Sequence, residues 1–234
     1  DIVNIDNAMK WGFGWEFGPF EVWDALGLLE CTERMKSDGR KIPAWIQTMI
    51  NKGFTSFYGF DGKAKTYYDP SSESMQPVPT HPLFVDFNVV KKTGGLIKKD
   101  WSASLIDLGD GVAAVTMHSV LQPTFNPIDG SIIGMFDQAV DWVAENNYKG
   151  LVIASEATHF SAGANLALML RAIDEKDWEG LDAMSKAMQD TLQKVRFAPF
   201  PVVAAPHWMA LGGGYEAIGA CDRIVAAAEL YTGL

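Results

Sequence analysis

Two glycine-rich stretches hold the residues best able to do chemistry. Ser161-Ala162-Gly163-Ala164-Asn165 follows an apolar run at 151–154 and opens onto a helical pattern. Leu211-Gly212-Gly213-Gly214-Tyr215-Glu216 repeats the theme after the apolar run at 201–205. Small residues let a ligand approach the backbone closely. A helix start offers unpaired N–H groups and a partial positive charge. Each stretch alone reads as an ordinary strand-to-helix turn. At the same ends of neighbouring strands, the pair can aim two N–H groups at one oxygen and so stabilise negative charge there. Glu216 stands about a turn into the second helix, within reach of the same spot, and a carboxylate there can move a proton.

Other motifs carry less. Gly12-Phe13-Gly14-Trp15-Glu16-Phe17-Gly18 imitates a dinucleotide-binding loop, but a helical run precedes it where a strand is needed, so it reads as a tight helix–helix turn. His81, His118, His159 and His207 are scattered without metal-ligand spacing. Cys221, between Ala220 and Asp222, reads as a small core residue rather than a nucleophile. No G-x-S-x-G nucleophile elbow occurs.

The elements that must position the two loops begin near Trp101. The runs 104–108 and Val112–Met117 flank Gly109-Asp110-Gly111, a hairpin signal. Ile132, Ile133, Phe136, Ala139, Val140 and Val143 mark one helix face, and Leu181, Met184, Met188, Leu192 and Val195 another. Strand runs at 151–154, 201–205 and 224–227 alternate with these helices and with a helix at 215–221, which predicts a parallel α/β sheet. Residues 1–58 look all-helical, with Ile5, Ala8, Met9 and Gly12 along one face, Asp6 or Asn4 as a cap, and Pro19 in a first turn. Residues 59–100 are crowded with Gly, Pro and Ser, including Pro82, and end in Lys91, Lys92, Lys98 and Lys99. They read as a solvated linker with one short helix near 84–92.

Composition narrows the function class. The chain has 234 residues and a net charge of −10, with 48% hydrophobic residues. A pI near 4.8 argues against nucleic-acid binding. No apolar run reaches the roughly 18 residues of a membrane helix. The two cysteines fit a reducing, cytoplasmic compartment. The sequence starts at Asp1 without a secretory signal and stops at Leu234 inside a folded pattern, which suggests a piece of a longer protein.

Residues 161–166, Pro201-Val202-Val203-Ala204-Ala205, Ala210–Glu216 and Cys221-Asp222 together resemble the enoyl-CoA hydratase (crotonase) family, over about 101–234. Ile5-Asp6-Asn7-Ala8, Gly12-Phe13-Gly14 and Gly18-Pro19-Phe20-Glu21-Val22-Trp23-Asp24-Ala25-Leu26-Gly27 resemble the helical C-terminal domain of 3-hydroxyacyl-CoA dehydrogenases, over about 1–58. The order resembles multifunctional fatty-acid β-oxidation proteins with the dehydrogenase first. The implied fold is an incomplete crotonase-type α/β domain after a small all-α segment. The resemblance implies oxyanion N–H groups at Ala164 and Gly213, a catalytic Glu216, and substrate binding by Ala162, Gly163 and Gly212, with the adenine end of coenzyme A near Ala162 and Ala164. It implies hydration of a trans-2-enoyl-CoA thioester, no cofactor in this chain, and an upstream domain using NAD to oxidise 3-hydroxyacyl-CoA. A thiolase is an implied partner. Several departures bear on activity. The family's second glutamate falls twenty residues after the first, at position 236, beyond Leu234. Asn165 replaces a frequent Asp, and the 118–129 segment keeps little of the early coenzyme A contact sequence beyond Asn126. The chain itself is therefore expected to hydrate poorly or not at all. An acyl-CoA-binding or scaffolding module and a Δ3-Δ2 isomerase stand as alternatives.

Overall fold

A computed structural model describes residues 1–81 and 83–234; Pro82, one of the turn formers above, lies outside the described residues. The chain forms two compact units, Asp1–Val85 and Asp86–Leu234.

The first unit carries helices α1 (Ile2–Phe13), α2 (Pro19–Leu26), α3 (Leu28–Ser37) and α4 (Ala44–Asn51). Asp1, not Asn4 or Asp6, caps α1, its carboxylate accepting from the Asn4 N–H. The buried face of α1 is Ile2, Val3 and Asp6, whereas Ile5 is half exposed, so the expected face is turned away from the core. Asp6 has gone inward because it accepts hydrogen bonds from Phe20 N–H and Glu21 N–H at the start of α2 and from the Tyr58 hydroxyl.

The expected linker at 59–100 is not one. Strands β1 (Tyr58–Phe60), β2 (Lys65–Asp69) and β3 (Ser74–Pro77) form an antiparallel sheet in the order β1-β2-β3. The turn formers make its hairpins. Asp61 accepts from Lys63 and Ala64 N–H groups, and Asp69 from Ser71 and Ser72 N–H groups. The Ser71 hydroxyl also donates to Asp69 and, with these amides, holds its carboxyl at about 2. Between the turns, alternation along Lys65-Thr66-Tyr67-Tyr68-Asp69 buries Thr66 and Tyr68. Tyr68 joins Phe57, Ile46, Met49, Leu28, Ile2 and Val3 in the core of the first unit.

The rest of the expected linker belongs to the second unit. A short helix α5 (Phe87–Val90) runs into a π turn (Lys91–Gly95) and strand β4 (Leu96–Lys99), which pairs with β5 (Ala103–Gly109). Lys91 forms an ion pair with Glu156 and Lys98 reaches Gln138, so these lysines brace the fold rather than a solvated tether.

The hairpin of β5 with β6 (Val112–Met117) forms as expected, and helix α6 (Gly130–Glu145) leads to β7 (Gly150–Ser155). Helices α7 (Leu166–Asp174) and α8 (Trp178–Arg196) precede β8 (Val202–Ala204) and β9 (Met209–Leu211). Helix α9 (Gly213–Gly219) and strands β10 (Arg223–Ile224) and β11 (Tyr231–Gly233) complete the unit. The main sheet has the order β10-β8-β7-β6-β5-β4. It is mixed, not wholly parallel: β4, β5 and β6 are antiparallel, and β6, β7, β8 and β10 parallel. Tight hairpin chemistry at Gly109–Gly111 sets the antiparallel part, while helical crossovers set the parallel part. Residues 209–211, expected as loop, are a strand because β11 pairs with them in a second, parallel sheet. The expected strand at 224–227 is shorter, ending at Ile224. The α6 face read from the sequence is buried as expected, with Ile132, Phe136, Ala139, Val140 and Val143 packed on β5, β6 and β7.

Candidate functional site

The two glycine-rich loops meet. Ser161 bridges Ala210 in parallel fashion: its N–H donates to Met209 O at 3.0 Å, and its C=O accepts from Leu211 N–H at 2.9 Å. Gly163 has φ +91° and lies so close that a Cβ there would sit 2.8 Å from Leu211 O and 3.0 Å from Gly213 N. Only glycine fits both the conformation and the space. Gly212, at φ +49°, turns the chain into α9, and its N–H is held by Gly233 O at 2.9 Å. A Cβ on Gly213 would stand 3.6 Å from the Ala164 nitrogen, so the Ala164 and Gly213 amides are near neighbours. Among the described residues neither amide donates a hydrogen bond. They are the two N–H groups that the resemblance singled out.

Both residues line a cavity of about 440 Å³ together with Glu216. The apolar lining comes from Ile128, Ile133, Met169, Leu181, Met184, Met188 and Leu192. Among the described residues Glu216 is the one carboxylate lining it. Glu216 is exposed on the first turn of α9, its N–H bonded to Gly212 O. The cavity therefore offers two unengaged amides, one carboxylate and a flexible apolar wall, which suits a polarised carbonyl bearing an apolar tail. Ala162 and Gly163 sit behind the amides rather than in the cavity wall: Ala162 N–H donates to Phe125 O, and Gly163 N–H to the Ser161 hydroxyl.

Sequence reasoning missed the wall. The apolar spacing on α8 was visible, but it reads as a core stripe. In the structure only Thr191 and Val195 of α8 are buried, while Leu181, Met184, Met188 and Leu192 face the cavity. The two methionines among them, Met184 and Met188, were the available signal, since Met suits adaptable apolar surfaces.

The remaining candidates fall where their motifs suggested. Gly14, at φ +67°, ends α1, and no strand leads into Gly12-Phe13-Gly14, so the residues do not build a dinucleotide loop. His118 bonds Ser104, His207 bonds Ala157 O, and His159 faces the Phe125 ring. Burial holds His118 below the usual imidazole range. Among the described residues no group of His, Cys, Asp or Glu is arranged to hold a metal. Burial, with Asp222 beside it, pushes the Cys221 thiol up to about 12, and its Sγ faces Ala217 O at 3.4 Å. Thiolate is the reactive form, so at pH 8 Cys221 is expected to react with iodoacetamide about 10²–10³-fold more slowly than a free cysteine. Peptide mapping after timed labelling checks this; labelling at the free-cysteine rate contradicts it.

A mixed sheet whose loops bring two backbone amides and an acid to an apolar cavity defines an α/β domain able to stabilise negative charge on a bound oxygen. Residues 107–232 match the family model "Enoyl-CoA hydratase/isomerase", and the chain belongs to that family. The whole chain is 42% identical over 234 residues to a relative from Bacillus subtilis (strain 168) named "Probable 3-hydroxyacyl-CoA dehydrogenase". It is 25% identical over 240 aligned residues to a relative from Rickettsia prowazekii (strain Madrid E) bearing the name of a fatty acid oxidation complex trifunctional enzyme. The chain spans 29% of the length of each of these relatives. A crystal structure of an enoyl-CoA hydratase from Polaromonas sp. JS666 matches with a TM-score of 0.50 and 27% identity, over 56% of this chain and 49% of that one. Among the described residues no helix is long and apolar enough to cross a membrane.

Proposed function

We propose that the second unit binds a trans-2-enoyl-CoA thioester and acts on its double bond. The thioester oxygen accepts from the Ala164 and Gly213 N–H groups, and the acyl chain lies along the Met- and Leu-lined wall. The observation that carries this reading is the pair of adjacent, unengaged amides opening onto a cavity with Glu216. As water adds at the β-carbon, charge moves onto the thioester oxygen, where fixed donors stabilise it more than they stabilise the ground state. Glu216 takes the proton from the water. A second acid gives a proton to the α-carbon, and it is supplied from beyond residue 234. In the longer protein we propose a dehydrogenase-first β-oxidation enzyme, with NAD held by residues outside this chain, residues 1–58 as its helical C-terminal repeat, and thiolase as a partner.

Glu216 on the cavity wall also fits a second reading, Δ3-Δ2 isomerisation, which needs one carboxylate. One base can remove a proton from the α-carbon and return it at the γ-carbon, with no water added. A third, catalytically silent acyl-CoA-binding module is separated by titration. Trans-2-butenoyl-CoA is expected to bind Ala164→Pro about 3- to 10-fold more weakly than wild type, the worth of one net hydrogen bond. Calorimetric binding that ignores the substitution rejects the oxyanion site.

A further inference from the structure

We infer that Asn126 is a positioning residue that holds the Ala164 N–H in place; this rests on the oxyanion reading above. The residue has three properties that a plain turn residue does not combine. It is fully buried, it has φ +48°, and its side-chain amide is engaged on both ends. Asn126 Oδ1 accepts from Ser119 N–H at 2.8 Å, and Nδ2 donates to Ser155 Oγ at 2.9 Å and to Phe160 O at 2.8 Å. One side chain thus ties together the segments that follow β6 and β7.

Those ties run straight to the oxyanion loop. On either side of Asn126 the backbone is laced to residues 159–164. His159 N–H donates to Thr124 O at 3.2 Å, Ala162 N–H to Phe125 O at 2.8 Å, and Ile128 N–H to Gly163 O at 2.7 Å. Ile128 and Ala164 form a parallel bridge. The left-handed turn at Asn126 lets the chain keep contact with both Phe125 and Ile128 partners, and the side chain pins that turn to Phe160. A catalytic amide must be held to within about 0.5 Å of its productive place. With Asn126 removed, Ala164 remains in the chain but loses the frame that aims it.

Two variants separate the side-chain links from the backbone strain. Asn126→Gly tolerates φ +48° but makes no links. Asn126→Asp keeps the acceptor for Ser119 N–H and sets an oxygen against Phe160 O. In native-state hydrogen exchange without ligand, the Ala162 and Ile128 amides are expected to exchange at least about tenfold faster in both variants, with Val140 and Val143 of α6 unchanged. Unchanged exchange at Ala162 and Ile128 overturns the proposal. If either variant loses protection in α6 as well, exchange is repeated in sucrose, which stabilises the whole fold: faster exchange at Ala162 and Ile128 alone then supports the proposal, and unchanged exchange rejects it. The second readout is the carbonyl stretch of bound ¹³C=O-labelled trans-2-butenoyl-CoA. In Asn126→Gly its downshift is expected to shrink, while the dissociation constant changes less than about threefold. A full downshift in Asn126→Gly also overturns the proposal. No downshift in wild type refutes the oxyanion reading instead, and the exchange result still decides whether Asn126 holds the loop.

Discussion

Under the proposed hydratase function, Gly213→Pro is expected to lower hydration of trans-2-butenoyl-CoA by about 10²–10³-fold, the usual cost of losing one oxyanion donor, in a chain that continues far enough to supply the second acid. The reason is local. Gly213 is the first residue of α9, the one helical position where proline is at home, because its N–H has no helical partner anyway. The substitution removes the donor and sets a ring carbon where the oxygen would sit, yet leaves the helix intact. Gly213→Ala is the matched control. Its Cβ would stand 3.5 Å from Met188 Cε and 3.6 Å from the Ala164 nitrogen, ordinary contacts, and the N–H is kept. Alanine is expected to stay within about threefold of wild type. Equal rates for proline and alanine at matched thermal stability count against an oxyanion role for this amide.

Asp6→Ala is expected to destabilise the first unit by about 3–5 kcal/mol, a large share of the roughly 5–15 kcal/mol that usually holds a domain folded. Asp6 is fully buried and accepts from Phe20 N–H at 2.8 Å, Glu21 N–H at 3.2 Å and the Tyr58 hydroxyl at 2.7 Å. Alanine leaves all three donors without a partner, and each such loss costs about 1–3 kcal/mol. Neighbouring groups depend on the same junction. Gly18 approaches so closely that a Cβ there would lie 2.3 Å from Asp6 Cβ, and its N–H donates to Glu21. Burial, reinforced by Asp6, pushes the Tyr58 phenol far above its ordinary range. Asp6→Asn keeps an acceptor oxygen and is expected to cost less than half as much. Urea unfolding followed by tryptophan fluorescence checks both variants, and an Asp6→Ala midpoint equal to wild type contradicts the bracing role of these three hydrogen bonds.

Helices and strands with a strong period were legible in the sequence: α6 buries the face its spacing marks, and the Gly109–Gly111 hairpin forms where its turn residues stand. Three features were not. The 59–77 sheet was hidden because its strands are short, and glycine, serine and proline mark hairpin turns and linkers alike. The inward turn of Asp6 depends on partners 14 to 52 residues away, which no local period records. Strand β9 exists only because β11 pairs with it, again a long-range cause. In the site, the two loops and Glu216 were visible as residue types, since close backbone approach demands glycine. The cavity wall was not, because a Met- and Leu-lined face has the same spacing as a buried one. Asn126 was visible only as a survivor in an altered segment; its links to Ser119, Ser155 and Phe160 need the folded loops.

The claim at the centre is that two backbone amides polarise a thioester carbonyl. Isotope-edited infrared spectroscopy of ¹³C=O-labelled trans-2-butenoyl-CoA, bound to this 234-residue chain and to its Gly213→Pro variant, tests it without requiring turnover. A carbonyl stretch moved to lower frequency in wild type, and moved less in Gly213→Pro, is the predicted result. A ligand that binds with its carbonyl stretch at the value found in water would contradict the claim.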